Sequence, residues 1–259
     1  LSNFFSVNDE IYLDFRAGNI NTQKSKSLSN NIFEFDDIKV LKTVALYGAN
    51  ASGKSNIIKA IRLCHSMVFE SHNFNENSIF PFKPFKFKGF SKKPSTYIIR
   101  FVIEDIEYQY SFVFTQKEIL KESLYYYPNG RKAKVFTRDE AAGVSKKDKY
   151  SFGTSVIRRP LDVAENTSNK TLFISRGSQL DRDIPKKIFN FFHRTFILKY
   201  LGWSAKHANS LIAEYKPQLL KALKLADSDI IDFKQNIRKE LGKNIKANIR
   251  TEEAFFEEE

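Results

Sequence analysis

The sequence predicts an α/β fold: a strand, a glycine-rich loop and a helix in one unit, followed by an antiparallel meander. Three observations predict it. The octapeptide Gly48-Ala49-Asn50-Ala51-Ser52-Gly53-Lys54-Ser55 fits the pattern Gly-x-x-x-x-Gly-Lys-Ser. An apolar run of strand length, Val40-Leu41-Lys42-Thr43-Val44-Ala45-Leu46-Tyr47, precedes it, and Ile57, Ile58, Ala60, Ile61, Cys64 and Met67 follow at helical spacing. Beyond residue 95, four segments alternate apolar and polar residues with turn signals between them.

The octapeptide is the pattern of a phosphate-binding P-loop. Its glycines let the backbone approach closely, and its N–H groups can wrap the phosphates of a nucleoside triphosphate. Gly48, Ala49, Asn50, Ala51, Ser52, Gly53, Lys54, Ser55 and the following Asn56 are the candidate ATP phosphate-binding residues. Lys54 is expected at the β/γ-phosphates, and the Ser55 hydroxyl on Mg²⁺. The helix start adds its dipole and free N–H groups. A chance match in a chain this long is expected roughly once in a hundred, and the strand before and helix after make accident rarer. The run 40–47 is expected as a strand buried in a parallel sheet.

The remaining elements follow in order. Residues 2–15 fit two short strands with a turn at Asn8-Asp9, and the polar stretch 17–31 a loop. The P-loop unit covers about 39–70. Residues 71–95 are loop-like, with Pro81, Pro84 and Pro94. Within them, Pro81-Phe82-Lys83-Pro84-Phe85-Lys86-Phe87-Lys88-Gly89-Phe90 interleaves aromatics and cations, which could make a nucleic-acid surface. The favoured reading is plainer: a half-buried extended edge, Phe inward and Lys outward. Thr96–Glu104, Glu107–Thr115, Ile119–Tyr127 and Lys132–Thr137 form the meander, with turns at Glu104-Asp105 and Pro128-Asn129-Gly130. Residues 138–170 read as a polar connection, and Thr171–Ser175 starts a new unit. Residues 178–226 read as largely helical, Pro185 suiting one helix start and Pro217 another. Ile230–Ile237 could return to strand.

Composition bounds the function classes. The 259 residues suit one large domain or one with an inserted subdomain. No apolar run approaches a membrane span, and no signal peptide opens the chain, so a cytoplasmic location is expected. The single cysteine, Cys64, is expected as a core residue, and four scattered histidines give no metal site. The net charge of +12 makes nucleic acid a possible partner, although dispersed lysines also suit solvated faces.

The loop and its surroundings resemble ABC-type ATPases of the SMC/RecF class. That class carries Asn at the loop's third position, here Asn50, and often Asn after the Ser, here Asn56. The start Asn3-Phe4-Phe5-Ser6 is similar to its first strands, which lie beside the nucleotide, and the meander resembles its antiparallel subdomain. A GTPase would need an Asn-Lys-x-Asp; Asn169-Lys170-Thr171-Leu172 lacks the aspartate. The chain is also similar to bacterial ATPases of phage-defence and abortive-infection systems. The matching residues are the Tyr108-Gln109-Tyr110-Ser111-Phe112 strand, Glu122-Ser123-Leu124, and Leu172-Phe173-Ile174-Ser175.

The resemblance implies an ABC/SMC-like P-loop NTPase head with an antiparallel β subdomain and a helical insertion. The expected division is a nucleotide-binding lobe over 1–175, a helical subdomain over 176–228 and the start of a second lobe over 229–259. The signature loop, the Walker B strand with its catalytic Glu, and the switch histidine of that class are not found, and are expected beyond Glu259. Phe101-Val102-Ile103-Glu104-Asp105 has its acids in the wrong order for Walker B and reads as a turn. Ser151-Phe152-Gly153-Thr154 resembles a signature, but precedes the helical region. Gln109 and Gln116 are candidates for the glutamine that contacts Mg²⁺ and the attacking water, though surface roles suit both.

The implied activity is Mg²⁺-dependent ATP hydrolysis by a homodimer or higher homo-oligomer. It would control a partner effector, a nuclease or toxin, in anti-phage defence. The alternatives are a RecF-like repair ATPase acting directly on DNA and a nucleotide-gated scaffold without useful turnover.

Overall fold

The computed structural model describes residues 1–18, 29–35, 38–154, 156–195, 205–226, 230–236 and 246–251. The chain divides into two compact units, Leu1–Ile197 and Leu198–Glu259. The boundary expected at 175/176 therefore falls inside the first unit.

The largest element of the first unit is a five-stranded antiparallel sheet. Strands β1 (Ile32–Phe35) and β2 (Ile38–Leu41) form a separate hairpin. Helix α1 (Lys54–Glu70) follows the P-loop. The large sheet then runs in chain order: β3 (Ser95–Ile103), β4 (Ile106–Phe114), β5 (Ile119–Tyr127), β6 (Ala133–Asp139) and, after the single-turn helix α2 (Lys146–Lys149), the short edge strand β7 (Tyr150–Phe152). The expected turns are present. Glu104 and Asp105 both take left-handed backbone (φ 48° and 62°), and Asn129 and Gly130 do the same at φ 53° and 71°. Asn and Asp tolerate this conformation and Gly adopts it freely. Strand β7 lies in the stretch expected as a polar connection.

The sheet has a dry face and a wet one. Tyr97, Phe101, Tyr108, Tyr110, Phe112, Phe114, Leu124 and Phe136 point inward. They pack on Ala60, Leu63, Cys64, Met67 and Val68 of α1 and on the helices α3 (Pro160–Glu165), α4 (Phe173–Gln179) and α5 (Asp183–Thr195). Phe101 stacks on Phe191 of α5 with ring centroids 4.6 Å apart and meets Phe192 edge-on. Burying an aromatic side chain of this kind contributes about 2–3 kcal/mol before packing terms. Cys64 is a core residue, its thiol pushed up to about 12 by burial. On the outer face a row of hydroxyls, Ser111, Ser123, Thr137 and Ser151, crosses four strands.

A buried polar network ties the sheet to α4. The Glu122 carboxylate, fully buried on β5, accepts the Tyr110 hydroxyl (2.8 Å) and the backbone N–H groups of Phe173 (2.6 Å) and Ile174 (3.2 Å) at the start of α4. Arg138 stands beside it. Its guanidinium donates to Glu140 Oε1 (2.6 Å), Thr171 O (2.7 Å) and Ser168 O (2.9 Å), with 3.7 Å to Glu122 Oε2. Charges buried this deeply are tolerated only when so fully partnered. The segments Glu122–Leu124 and Leu172–Ser175, half a hundred residues apart in sequence, are thus joined by one carboxylate.

Two expectations are corrected. Residues 2–15 do not form two strands about Asn8-Asp9. Phe4 and Val7 bridge across a tighter turn at Phe5-Ser6, while Ser2 bridges Thr96 and Arg16 bridges Val40. The run 40–47 is not a strand buried in a parallel sheet. Only Val40 and Leu41 join a ladder, the antiparallel one with β1. Pro217 does open a second helical segment, as its position predicts. The element α6 (Ala205–Ala226) is two helices joined at a kink, with a non-helical break at Tyr215 (φ −117°) two residues before Pro217. In the second unit α6 precedes the hairpin of β8 (Ile230–Asn236) and β9 (Lys246–Thr251), and Lys216 pairs with Asp232 at 2.8 Å. Phe255-Phe256-Glu257-Glu258-Glu259, expected as the strand that leads into a signature loop, lies outside the described residues.

Candidate functional site

The glycine loop is shaped for an anion by its own backbone. Gly53, the residue before α1, has φ 95°, and Ala51 has φ 64°. At Gly53 a side chain would be strained and would meet Ser6 Oγ at 2.7 Å. Glycine is what keeps this corner open. Ser52 N–H donates to Ala49 O across the loop (3.2 Å), and Asn56 N–H to Gly53 O (2.9 Å).

Lys54 is turned into the loop. Its ammonium donates to Gly48 O and Ala49 O, both at 2.7 Å, and lies 3.4 Å from Ser52 Oγ. A cation is thereby held at the loop's centre by weak neutral acceptors, which a phosphate oxygen would outcompete through a charge-assisted bond. Helix α1 begins with no side-chain cap and no acidic residue in its first turn. Its first N–H groups and positive dipole end are therefore left for an anion from outside. Residues 48–52 and Ser55 are solvent-exposed. These features fit a bound triphosphate with Mg²⁺ at Ser55.

The N-terminal turn supports this loop from behind. Asn56 Nδ2 donates to Ser6 Oγ at 2.9 Å, and Lys59 Nζ stands 4.9 Å above the Phe5 ring. Sequence reasoning placed the first residues beside the nucleotide but gave no contact for Ser6. The signal was Asn56 itself, an amide one residue past the motif that needs a partner.

The other candidates lie elsewhere. Gln109 is on the outer face of β4 and accepts the Tyr127 hydroxyl at 3.0 Å. Gln116 is exposed in the turn after β4, its carbonyl accepting Phe80 N–H at 3.2 Å. Glu104-Asp105 is the β3–β4 turn, with Glu104 paired to Lys187 on α5 at 2.5 Å. Ser151 and Phe152 belong to edge strand β7. A Cβ at Gly153 would sit 1.8 Å from Lys134 O, so this glycine serves close strand approach. Among the described residues no group of three or more His, Cys, Asp or Glu could hold a metal ion, and no helix is long and apolar enough to cross a membrane.

A glycine loop feeding an uncapped helix, with a lysine folded into it, defines a P-loop nucleotide-binding protein. A family model described as "AAA domain, putative AbiEii toxin, Type IV TA system" matches residues 44–253, and the chain belongs to that family of P-loop ATPase domains. No curated protein and no solved structure matches the chain.

Proposed function

We propose that Gly48–Asn56 binds the phosphates of ATP and that the chain is the ATP-binding part of an ATPase. The observation that carries this reading is the Lys54 ammonium, held inside the loop at the open start of α1. On binding, Lys54 exchanges two neutral carbonyls for the β/γ-phosphate oxygens, and the amides of 50–55 orient the chain of phosphates. Ser55 offers its hydroxyl to Mg²⁺, which when bound neutralises phosphate charge. Ser6 keeps Asn56 and the first turn of α1 in place.

The catalytic carboxylate and the signature loop are assigned to other segments or to a second copy. The exposed approach segment supports this assignment. Tyr47 is 91% exposed, and among the described residues no backbone hydrogen bond engages 43–47. The family's description, a putative AbiEii toxin of a type IV toxin–antitoxin system, is compatible with a role in bacterial anti-phage defence. In that role we propose a homodimer or larger homo-oligomer that controls a nuclease or toxin effector. Sedimentation of the protein with and without Mg²⁺-ATP tests the assembly step. ATP-dependent formation of dimers or larger species is expected, with little turnover by this chain alone. Vigorous hydrolysis by a monomer would contradict the reading.

A further inference from the structure

Residues 81–93 form a one-sided, basic surface. Lys83, Lys86, Lys88, Lys92 and Lys93 are all exposed, and no Asp or Glu occurs between Glu76 and Glu104. Among the described residues none of the five is in an ion pair, although lysines elsewhere, such as Lys121 and Lys149, have carboxylate partners, and Lys93 Nζ stands 4.1 Å over the Phe90 ring. The segment is not the strand edge its alternation predicts, because its backbone joins no ladder. It is a loop pinned from within by one buried amide. Asn3 Nδ2 contacts the carbonyls of Phe90 (3.0 Å), Lys93 (2.7 Å) and Pro94 (3.2 Å), and Asn3 Oδ1 accepts Phe85 N–H (2.9 Å).

The aromatics complete the arrangement. Phe85 packs edge-on against Phe87 and Phe90, which fixes the loop's base. Phe87 is nevertheless 69% exposed. The chain turns after it through Lys88 (φ 52°) and Gly89 (φ 74°), closed by Phe90 N–H on Phe87 O at 3.1 Å. A lysine held in left-handed backbone at a loop tip is a local strain that the surrounding contacts must maintain. An exposed ring flanked by unpaired ammonium groups is the pairing that binds single strands: stacking for a base, cations for the phosphates on either side. Because Asn3 orders the loop in advance, little entropy is lost when a strand docks.

We propose that the 81–93 loop is a binding site for single-stranded nucleic acid, with Phe87 as the stacking residue and Lys83, Lys86, Lys88, Lys92 and Lys93 as phosphate contacts. The site shares no residue with the P-loop, although Phe5 N–H donates to Lys83 O at 2.7 Å beside the Ser6 that holds Asn56; the proposal does not depend on ATP being the nucleotide there.

Fluorescence anisotropy with a labelled 20-residue oligo-dT, titrated across salt concentrations, tests it. Five phosphate contacts predict a slope of log K against log salt near about −3.5. The triple variant Lys86→Ser, Lys88→Gly, Lys92→Ser should flatten that slope by about 2. Phe87→Ser should weaken single-strand binding roughly 5- to 100-fold and barely change duplex binding. Unchanged ATP affinity in these variants reports that they fold, and Lys54→Ala should keep oligonucleotide affinity while losing ATP. No binding at low salt, variants with wild-type affinity and slope, or a preference for duplex that Phe87→Ser leaves intact would each overturn the proposal. So would binding to phosphatidylserine-containing vesicles without binding to the oligonucleotide.

Discussion

The inner face of the five-stranded sheet and the segment that feeds the P-loop draw on the same kinds of residue, with opposite results. Phe112, Phe114, Leu124 and Phe136 are sealed to 1% exposure or less, and their strands pair along antiparallel ladders broken only by register shifts at Val113/Phe114 and Leu124/Tyr125. Val44-Ala45-Leu46-Tyr47 is as apolar, yet Leu46 is 36% exposed and the backbone of 43–47 has no ladder among the described residues. Ile58, on the helix after the loop, is 41% exposed, although its spacing places it on the expected apolar stripe. The sheet side closes on itself through local antiparallel pairing. The nucleotide side presents apolar surface that its own neighbours do not cover. Stability therefore resides in the sheet, and nucleotide chemistry in a region free to accept a partner.

The largest expected effect lies in the sealed region. Arg138→Met leaves the Glu122 charge buried beside an apolar side chain, and should cost about 3–5 kcal/mol in urea unfolding. Loss of less than about 1 kcal/mol would show that the backbone donors of α4 satisfy Glu122 alone.

The next effect is a pH dependence from the same network. Burial tends to raise the Glu140 carboxyl, but Arg138 and the Lys149 ammonium outweigh it, so the carboxyl lies below its ordinary value of 4.5. Its contribution is then present above that value and is lost as pH falls through the lower, folded value. The stability gap between wild type and Glu140→Gln should be widest near neutral pH and shrink as pH falls below 4.5. A gap constant from pH 7 to pH 3 would contradict that sign.

The smallest effect belongs to the open region. Leu46→Ser should change stability by no more than about 0.5 kcal/mol, since little apolar contact is removed. A cost of 2 kcal/mol or more, on the scale of about 2–5 kcal/mol for core truncations, would mean that this segment is covered in solution.

The same contrast governs what could be read from the sequence. The meander was legible nearly to the residue, because alternation and the turn residues Glu104-Asp105 and Asn129-Gly130 are local signals. The P-loop was legible because its chemistry fixes residue identities at fixed spacing. Its approach segment was misjudged, since an apolar run records an affinity for burial and not which neighbour supplies it. Strand β7 was missed because three residues carry no periodicity. The role of Asn3 was hidden because its four contacts lie more than 80 residues away. The partnership of Glu122 with the α4 start was likewise illegible: a glutamate on a strand gives no sign that it faces the core.

The central claim is that Lys54, lodged in an open loop, is a phosphate ligand and carries no part of the fold. Isothermal titration of wild type and Lys54→Ala with Mg²⁺-ATP, alongside urea unfolding of both, tests it directly. The account predicts ATP affinity lowered by at least about tenfold, the scale of a lost charge-assisted hydrogen bond, with unfolding unchanged. Equal ATP affinity in the two proteins would contradict it.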